Sequence, residues 1–238
     1  MSTSRAIVFY LGLFPATVLF SAISLIILPL NRTLRYKIVT QWSRFSLWWL
    51  RLTCGVSSKI KGIENIPSRP SVIFCKHQSA WETMALQFIF PPHVQVVKRE
   101  LLFIPFFGWG LASLNPIAID RAAGAKALRQ VLRVGTERIK QGWWVLLFPE
   151  GTRTQPGETH EYSLSAAALA IRSGCSLIPV AHNAGVFWSR NAFRKLNGEI
   201  QLCIGPALDV TGKSAAELTA EAAEWIETQC AKMPQSTS

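Results

Sequence analysis

The sequence predicts an α/β domain, with a mixed, largely parallel sheet flanked by helices, preceded by an amino-terminal membrane-associated helical segment. Three observations point there. From about residue 56, short apolar runs alternate with longer amphipathic stretches, the pattern of strands covered by helices. Before that, Ala6 to Leu30 is uncharged for 25 residues, long enough to cross a hydrocarbon core. The charge is also uneven: residues 1–63 hold eight basic residues and no acid, while the remainder holds 17 basic and 14 acidic residues. An all-basic segment interleaved with apolar stretches is attracted to anionic lipid headgroups.

The apolar start is too long for the h-region of a secretory signal, about 7–15 residues. Pro15 complicates a straight span. Residues 38–53 read as a second helix, with Trp42, Trp48 and Trp49 beside Arg44 and Arg51, which suits a membrane interface. A hairpin dipped into one leaflet therefore accounts for the segment as well as a single span does. If the segment spans, the cluster Arg32, Arg35 and Lys37 places everything after it on the cytoplasmic side.

Strands are expected near 71–76, 93–99, 115–120, 144–149, 176–182 and 199–205, and helices near 79–89, 101–113, 123–141, 163–173 and 214–231. Residues 234–238 read as a disordered tail. The net charge of +11 raises nucleic acid as a rival polyanion, but no zinc-finger spacing, RNA-binding signature or basic–aromatic repeat is present. Cys54, Cys75, Cys175, Cys203 and Cys230 are odd in number and scattered, so reduced thiols are expected rather than a disulfide framework. His93 and His160 lack metal-ligand spacing, so no metal site is expected.

Four stretches carry the candidate chemistry. In Cys75-Lys76-His77-Gln78-Ser79-Ala80-Trp81-Glu82 a buried strand ends in a histidine, with a carboxylate five residues on. Residues five apart on a helix lie about 140° from one another, so His77 and Glu82 meet only if His77 is in a turn and Glu82 in the first turn of the next helix. That arrangement suits a general base and its orienting acid. Equally, Ser79-x-x-Glu82 matches a capping box, in which Glu82 only satisfies backbone amides. In Phe148-Pro149-Glu150-Gly151-Thr152-Arg153, Gly151 permits close backbone approach and Arg153 offers a fork suited to phosphate; a local Glu150–Arg153 ion pair is the bland alternative. Asn115 to Arg121 is an apolar strand ending in a charged pair. Ser176 to Asn183 carries Pro179 inside a buried-looking run, which calls for an edge or a bulge. His182 in the same stretch reads as structural.

In this order, HQSAWE, NPIAIDR, FPEGTR and LIPVAH resemble the four successive motifs of the glycerolipid acyltransferases, specifically the 1-acylglycerol-3-phosphate acyltransferases. The resemblance covers residues 60–210. It implies residues 1–55 as membrane-anchoring helices and 56–233 as the catalytic domain. It further implies His77 as general base with Glu82 as its partner, and a lysophosphatidate phosphate site formed by Glu150, Gly151, Thr152 and Arg153, aided by Arg121 and Lys98. Pro179 would shape the acyl-donor side. The donor would be acyl-CoA or acyl-carrier protein, the other partners membrane lipids, and the location a bacterial inner membrane with the catalytic domain on the cytoplasmic face. No resident cofactor is implied.

Three departures stand out. Glu82 replaces the usual aspartate, Asn115 stands where an acidic or small residue is common, and Ser163-Leu164-Ser165-Ala166 lacks the lysine and glycine often found there. Direct attack by a lipid hydroxyl is expected, because no G-x-S-x-G elbow supplies a nucleophilic serine. Acylation of another lysolipid, such as a lyso-ornithine lipid, and non-catalytic lipid binding on the same fold are the alternatives. The apolar stretch Leu101 to Leu114 reads as a core helix or as the lining of an acyl-chain tunnel.

Overall fold

The computed structural model describes residues 3–235. Three helices open the chain: α1 (Thr3–Ile26), α2 (Arg32–Val39) and α3 (Gln41–Cys54). The helix expected over 38–53 is α3; α2 before it was not anticipated and meets it at Thr40, and Gly55 ends α3 in the left-handed region at φ 69°. There follow β1 (Val56–Lys61), β2 (Val72–Cys75), α4 (Trp81–Ile89), β3 (His93–Lys98), α5 (Phe107–Ser113), β4 (Ile117–Ile119), α6 (Ala125–Lys140), β5 (Trp144–Leu147), α7 (Ser165–Ser173), β6 (Leu177–His182), α8 (Ala184–Phe187), β7 (Gly198–Ile204) and α9 (Ala215–Ala231).

The seven strands form one sheet in the order β1-β7-β6-β2-β5-β3-β4. Every neighbouring pair is parallel except β6–β7. The central strands β2, β5 and β6 are buried throughout, which is why they read as continuous apolar runs. Side chains alternate between the two faces: Ile73 and Cys75 join a core with α3, α4 and α8, whereas Val72 and Phe74 join one with α6, α7 and α9. β1 was not anticipated, because VSSKIK is polar; it is an edge strand paired only with β7.

Two expectations are corrected locally. The helix expected over 101–113 breaks into a 3-10 turn (Arg99–Phe103) and α5. Pro105 and a γ-turn at Phe106 separate them, with the Phe107 N–H on the Pro105 carbonyl at 2.7 Å. In the tail, the Pro234 carbonyl accepts from Asn183 Nδ2 at 3.0 Å, so the chain is tied down at that point; residues 236–238 lie outside the described residues. Pro179 meets the need for a break in pairing. Its neighbour β7 gives way at Gly205, whose N–H reaches the Pro179 carbonyl at 2.8 Å, and pairing resumes only between Leu177 and Leu208.

α1 is long and apolar enough to cross a membrane, with a mean hydropathy of 2.1 over its best window. It nevertheless packs on the rest of the chain. Phe9 is fully buried in the core shared by α3 and the sheet. Trp49 of α3 sits against Gly12 and donates its indole N–H to the Phe9 carbonyl at 3.1 Å. Lys195 is buried among the rings of Phe9, Tyr10, Trp188 and Phe193, with Nζ on the Tyr10 hydroxyl at 2.6 Å and the Phe193 carbonyl at 2.8 Å. Burial pushes this lysine down to about 8. The other side of α1 exposes Leu11, Phe14, Leu19 and Ile26.

A side chain at Gly12 would overlap the Trp49 indole. Gly12→Val is expected to cost about 1–3 kcal/mol, measured as a lowered thermal midpoint in detergent. Gly110→Ala in α5, where an added Cβ makes only ordinary contact, is expected to be neutral or slightly stabilising.

Candidate active site

The carboxyl ends of the adjacent parallel strands β5, β2 and β6 emerge side by side, where α/β sheets gather functional groups. After β2 the chain turns through residues 76–80 before α4 begins, which puts His77 in a turn and Glu82 at the second position of a helix. They meet: His77 Nδ1–H donates to Glu82 Oε1 at 2.7 Å. The same oxygen accepts the backbone N–H groups of Gln78 at 3.0 Å and Ser79 at 2.8 Å. Glu82 therefore satisfies backbone amides at the helix start and also orients the imidazole, but the full capping box is not made: the N-cap is Ala80, and Ser79 Oγ accepts from the Trp81 N–H at 3.2 Å. His77 Nε2 has no protein partner among the described residues, and its ring stacks on Phe148 at a centroid distance of 4.0 Å.

Glu82 is completely buried. Burial opposes its ionisation, but His182, His77 and the Ser79 amide outweigh burial and hold the carboxyl below its ordinary value. His182 is structural: Nε2–H donates to the Lys76 carbonyl at 2.8 Å and Nδ1 accepts from the Ala184 N–H at 3.2 Å. Burial lowers its basicity, against the opposing pull of Glu82.

The loop after β5 grips the His77 backbone from both sides. Glu150 Oε1 accepts the His77 N–H at 3.1 Å, and the Thr154 N–H donates to the His77 carbonyl at 2.8 Å. Glu150 is thus turned inward with its side chain fully buried, and the Glu150–Arg153 ion pair weighed as the alternative is not made. Its nearest cation is Lys76 at 3.8 Å, but that ammonium is committed to Glu227 at 2.6 Å and to the Glu158 carbonyl at 3.1 Å. Burial consequently wins and pushes Glu150 up to about 7.

The remaining expected residues divide. Gly151 (φ 70°) and Arg121 line a cavity of about 250 Å³ together with Phe148, Ser163 and Ser165. Burial lowers the Arg121 guanidinium somewhat. Arg153 instead lines a larger, mainly apolar cavity of about 460 Å³, walled by α1, α3, the start of α4 and the segment 104–114. Leu101 to Leu114 is therefore a cavity wall along its second half. Thr152 adjoins these groups in the loop. Lys98 is exposed at the end of β3, and Pro179 packs by Gly205 and Trp225; neither lines either cavity.

Lys76, Phe148 and Thr154 were not foreseen. Lys76 was legible, because it continues the alternation of Val72 and Phe74 and so must point to a buried face. Thr154 had no signal, since both its N–H and its Oγ1–H, at 2.8 and 3.2 Å, reach the carbonyl of a residue far away in the chain.

The fold and this site define a class: an α/β protein with a carboxylate-oriented histidine, free at Nε2, in a turn whose Ala80 lines an apolar chamber. Residues 57–183 match the family model described as Acyltransferase. The chain is 44% identical to a 1-acyl-sn-glycerol-3-phosphate acyltransferase of Pseudomonas aeruginosa, over 96% of this chain and 91% of that protein. A Borreliella burgdorferi protein of the same name is 28% identical over 73% of this chain and 69% of its own length. The fold also matches the crystal structure of the 1-acyl-sn-glycerophosphate acyltransferase PlsC from Thermotoga maritima, with a TM-score of 0.80 at 23% identity, over 98% of this chain and 96% of that one. The chain belongs to the acyltransferase family, with the 1-acyl-sn-glycerol-3-phosphate acyltransferases.

Because the folded Glu150 titrates at about 7 and its ordinary value is 4.5, the folded state keeps a proton that the unfolded chain loses across this window. Stability should fall as pH rises through it. Glu150→Gln is expected to melt above the wild type at pH above 7, with the two midpoints converging toward the acid end of the window.

Proposed function

We propose that this chain transfers a fatty acyl group from a thioester, acyl-CoA or acyl-carrier protein, to the sn-2 hydroxyl of lysophosphatidate, giving phosphatidate. The observation that carries the reading is the Nδ1–H bond of His77 to Glu82 at 2.7 Å, which leaves Nε2 free, in a turn whose Ala80 lines an apolar chamber. The kinship to proteins named for this activity supports it.

His77 Nε2 takes the proton of the acceptor hydroxyl as its oxygen attacks the thioester carbonyl. The imidazolium so formed is held by Glu82. When the tetrahedral intermediate collapses, the C–S bond breaks and the proton passes from His77 to the departing thiolate. No acyl-enzyme is formed. Acyl chain is placed in the larger cavity, whose wall includes the membrane-facing helix α1, so the lipid can reach it from the bilayer. Phosphate is placed against Arg121 and the Gly151 backbone, with Arg153 on the opposite cavity. The protein would sit at the cytoplasmic face of a bacterial inner membrane.

A second reading has one observation behind it. Ser163 and Ser165 leave Arg121 as the sole cation lining the smaller cavity, which suits a lysolipid acceptor without a phosphate monoester.

Thiol release from an acyl thioester with lysophosphatidate tests both. His77→Ala should abolish turnover, and Glu82→Gln should lower kcat on the order of 10²–10⁴-fold. Arg121→Ala should raise KM for lysophosphatidate at least about tenfold, the loss of a charge-assisted phosphate contact, while leaving monoacylglycerol, the acceptor without phosphate, unaffected. Equal rates with the two acceptors in the wild type favour the second reading; full activity of His77→Ala removes the first.

A further inference from the structure

Beneath His77 lies a buried charge cluster that the proposed chemistry does not use. Lys76 is 1% exposed, yet it carries an ammonium. Its Nζ reaches Glu227 Oε1 at 2.6 Å, the Glu158 carbonyl at 3.1 Å and Glu150 Oε1 at 3.8 Å. Glu227 belongs to α9, near the carboxyl end of the chain. Its Oε1 also accepts the Tyr162 hydroxyl at 2.6 Å, and Oε2 accepts from Thr159 at 3.4 Å. A line of contacts thus runs from the last helix through Lys76 to Glu150, and from Glu150 to the His77 N–H.

This cluster is poorly built as a stabilising feature. Two carboxylates, of Glu150 and Glu227, share one ammonium, and the outer oxygens of Glu150 and of the neighbouring Glu82 are buried without a hydrogen-bond partner among the described residues. Apolar groups of similar volume would serve stability as well or better. What the cluster does is fix geometry. The turn at 76–80 has no ladder of its own beyond Lys76, whose N–H meets the Val180 carbonyl at 3.0 Å. Past that residue, Glu150 and Thr154 hold the backbone of His77.

We propose that Glu150, Lys76 and Glu227 form a positioning array for His77, through which helix α9 sets the catalytic turn. Glu150 then acts on the histidine backbone and is not a ligand of the acceptor phosphate. This rests on His77 being the base.

The test compares Glu150→Gln and Glu227→Gln with the wild type in detergent. Each variant should lower kcat roughly ten- to a hundredfold, the penalty of slight misplacement of a reacting group, with KM for lysophosphatidate within about twofold and no loss of thermal midpoint for Glu150→Gln. Glu227→Gln is the milder cut of the array, because Lys76→Met would leave buried carboxylates unpaired and threatens folding. A readout free of turnover accompanies the kinetics: the downfield proton resonance of the His77 Nδ1–H bond to Glu82, assigned by its loss in His77→Ala. It should shift or broaden in both variants. An unchanged resonance with unchanged kcat overturns the proposal. A raised KM with unchanged kcat in Glu150→Gln also overturns it, by returning Glu150 to the acceptor site. Absence of wild-type turnover would fall on the lysophosphatidate reading alone, and the resonance would still decide the array.

Discussion

The two backbone hydrogen bonds of His77 are the constraint on which the site depends. The histidine sits in a turn with no regular structure, and an imidazole on a free turn would sample many positions. Here the N–H is fixed by Glu150 and the carbonyl by the Thr154 amide, both from the loop after β5. The clamp is possible because β2 and β5 are adjacent and parallel, Val72 facing Val145 and Phe74 facing Leu147, so their carboxyl ends emerge at one level. The stretch HQSAWE and the stretch FPEGTR thus form one object. Each supplies what the other lacks: one the imidazole and its acid, the other the backbone support.

The amino-terminal helices belong to the same account. Composition changes near residue 56, yet packing is continuous across it: Phe9, Leu50 and Cys54 share a core with β2, β6 and β7. The larger cavity has α1 and α3 as one wall and the segment 104–114 as another. Ser21 of α1 donates to the Phe106 carbonyl at 2.6 Å, which joins these two walls at the γ-turn. An apolar chamber beside the polar turn at 76–80 needs such walls, because water reaching it would weaken both the apolar contacts and the electrostatics of the histidine. The helix long and apolar enough to cross a membrane is therefore also one that completes the chamber.

Much of this was legible in the sequence, for identifiable reasons. The central strands are buried on both faces, so they announced themselves as apolar runs, and six of the seven strands were placed within two residues of where they lie. The spacing of His77 and Glu82 permitted contact only across a turn-to-helix junction, and that junction is present. What was misread has a common cause. Beside Gly151 and Arg153, Glu150 read as a member of a phosphate site or of a local ion pair, whereas its side chain is turned toward a backbone amide far away in the chain. Arg121 and Arg153 looked like one phosphate site but face different cavities. β1 was missed because edge strands tolerate polar alternation that a central strand does not. Local pattern reports burial well and long-range pairing of polar groups poorly.

The electrostatics around His77 make sense only when the reaction is considered. In the resting state the turn is surrounded by negative charge in excess: Glu82 is buried and ionised with one oxygen unpartnered, and Glu150 is held so far from water that its proton is lost only near neutrality. For a resting protein this arrangement is costly. With His77 as the proposed base it becomes favourable when the imidazole accepts a proton, because the new imidazolium is bonded directly to Glu82. Interactions stronger in the transition state than before it are the ones that accelerate a reaction. Glutamate at position 82 serves this well, since its longer arm lets one oxygen gather His77, Gln78 and Ser79 while the helix holds its backbone. The carboxylate is thereby fixed before the charge it must stabilise appears, and little reorganisation is left for the moment of transfer.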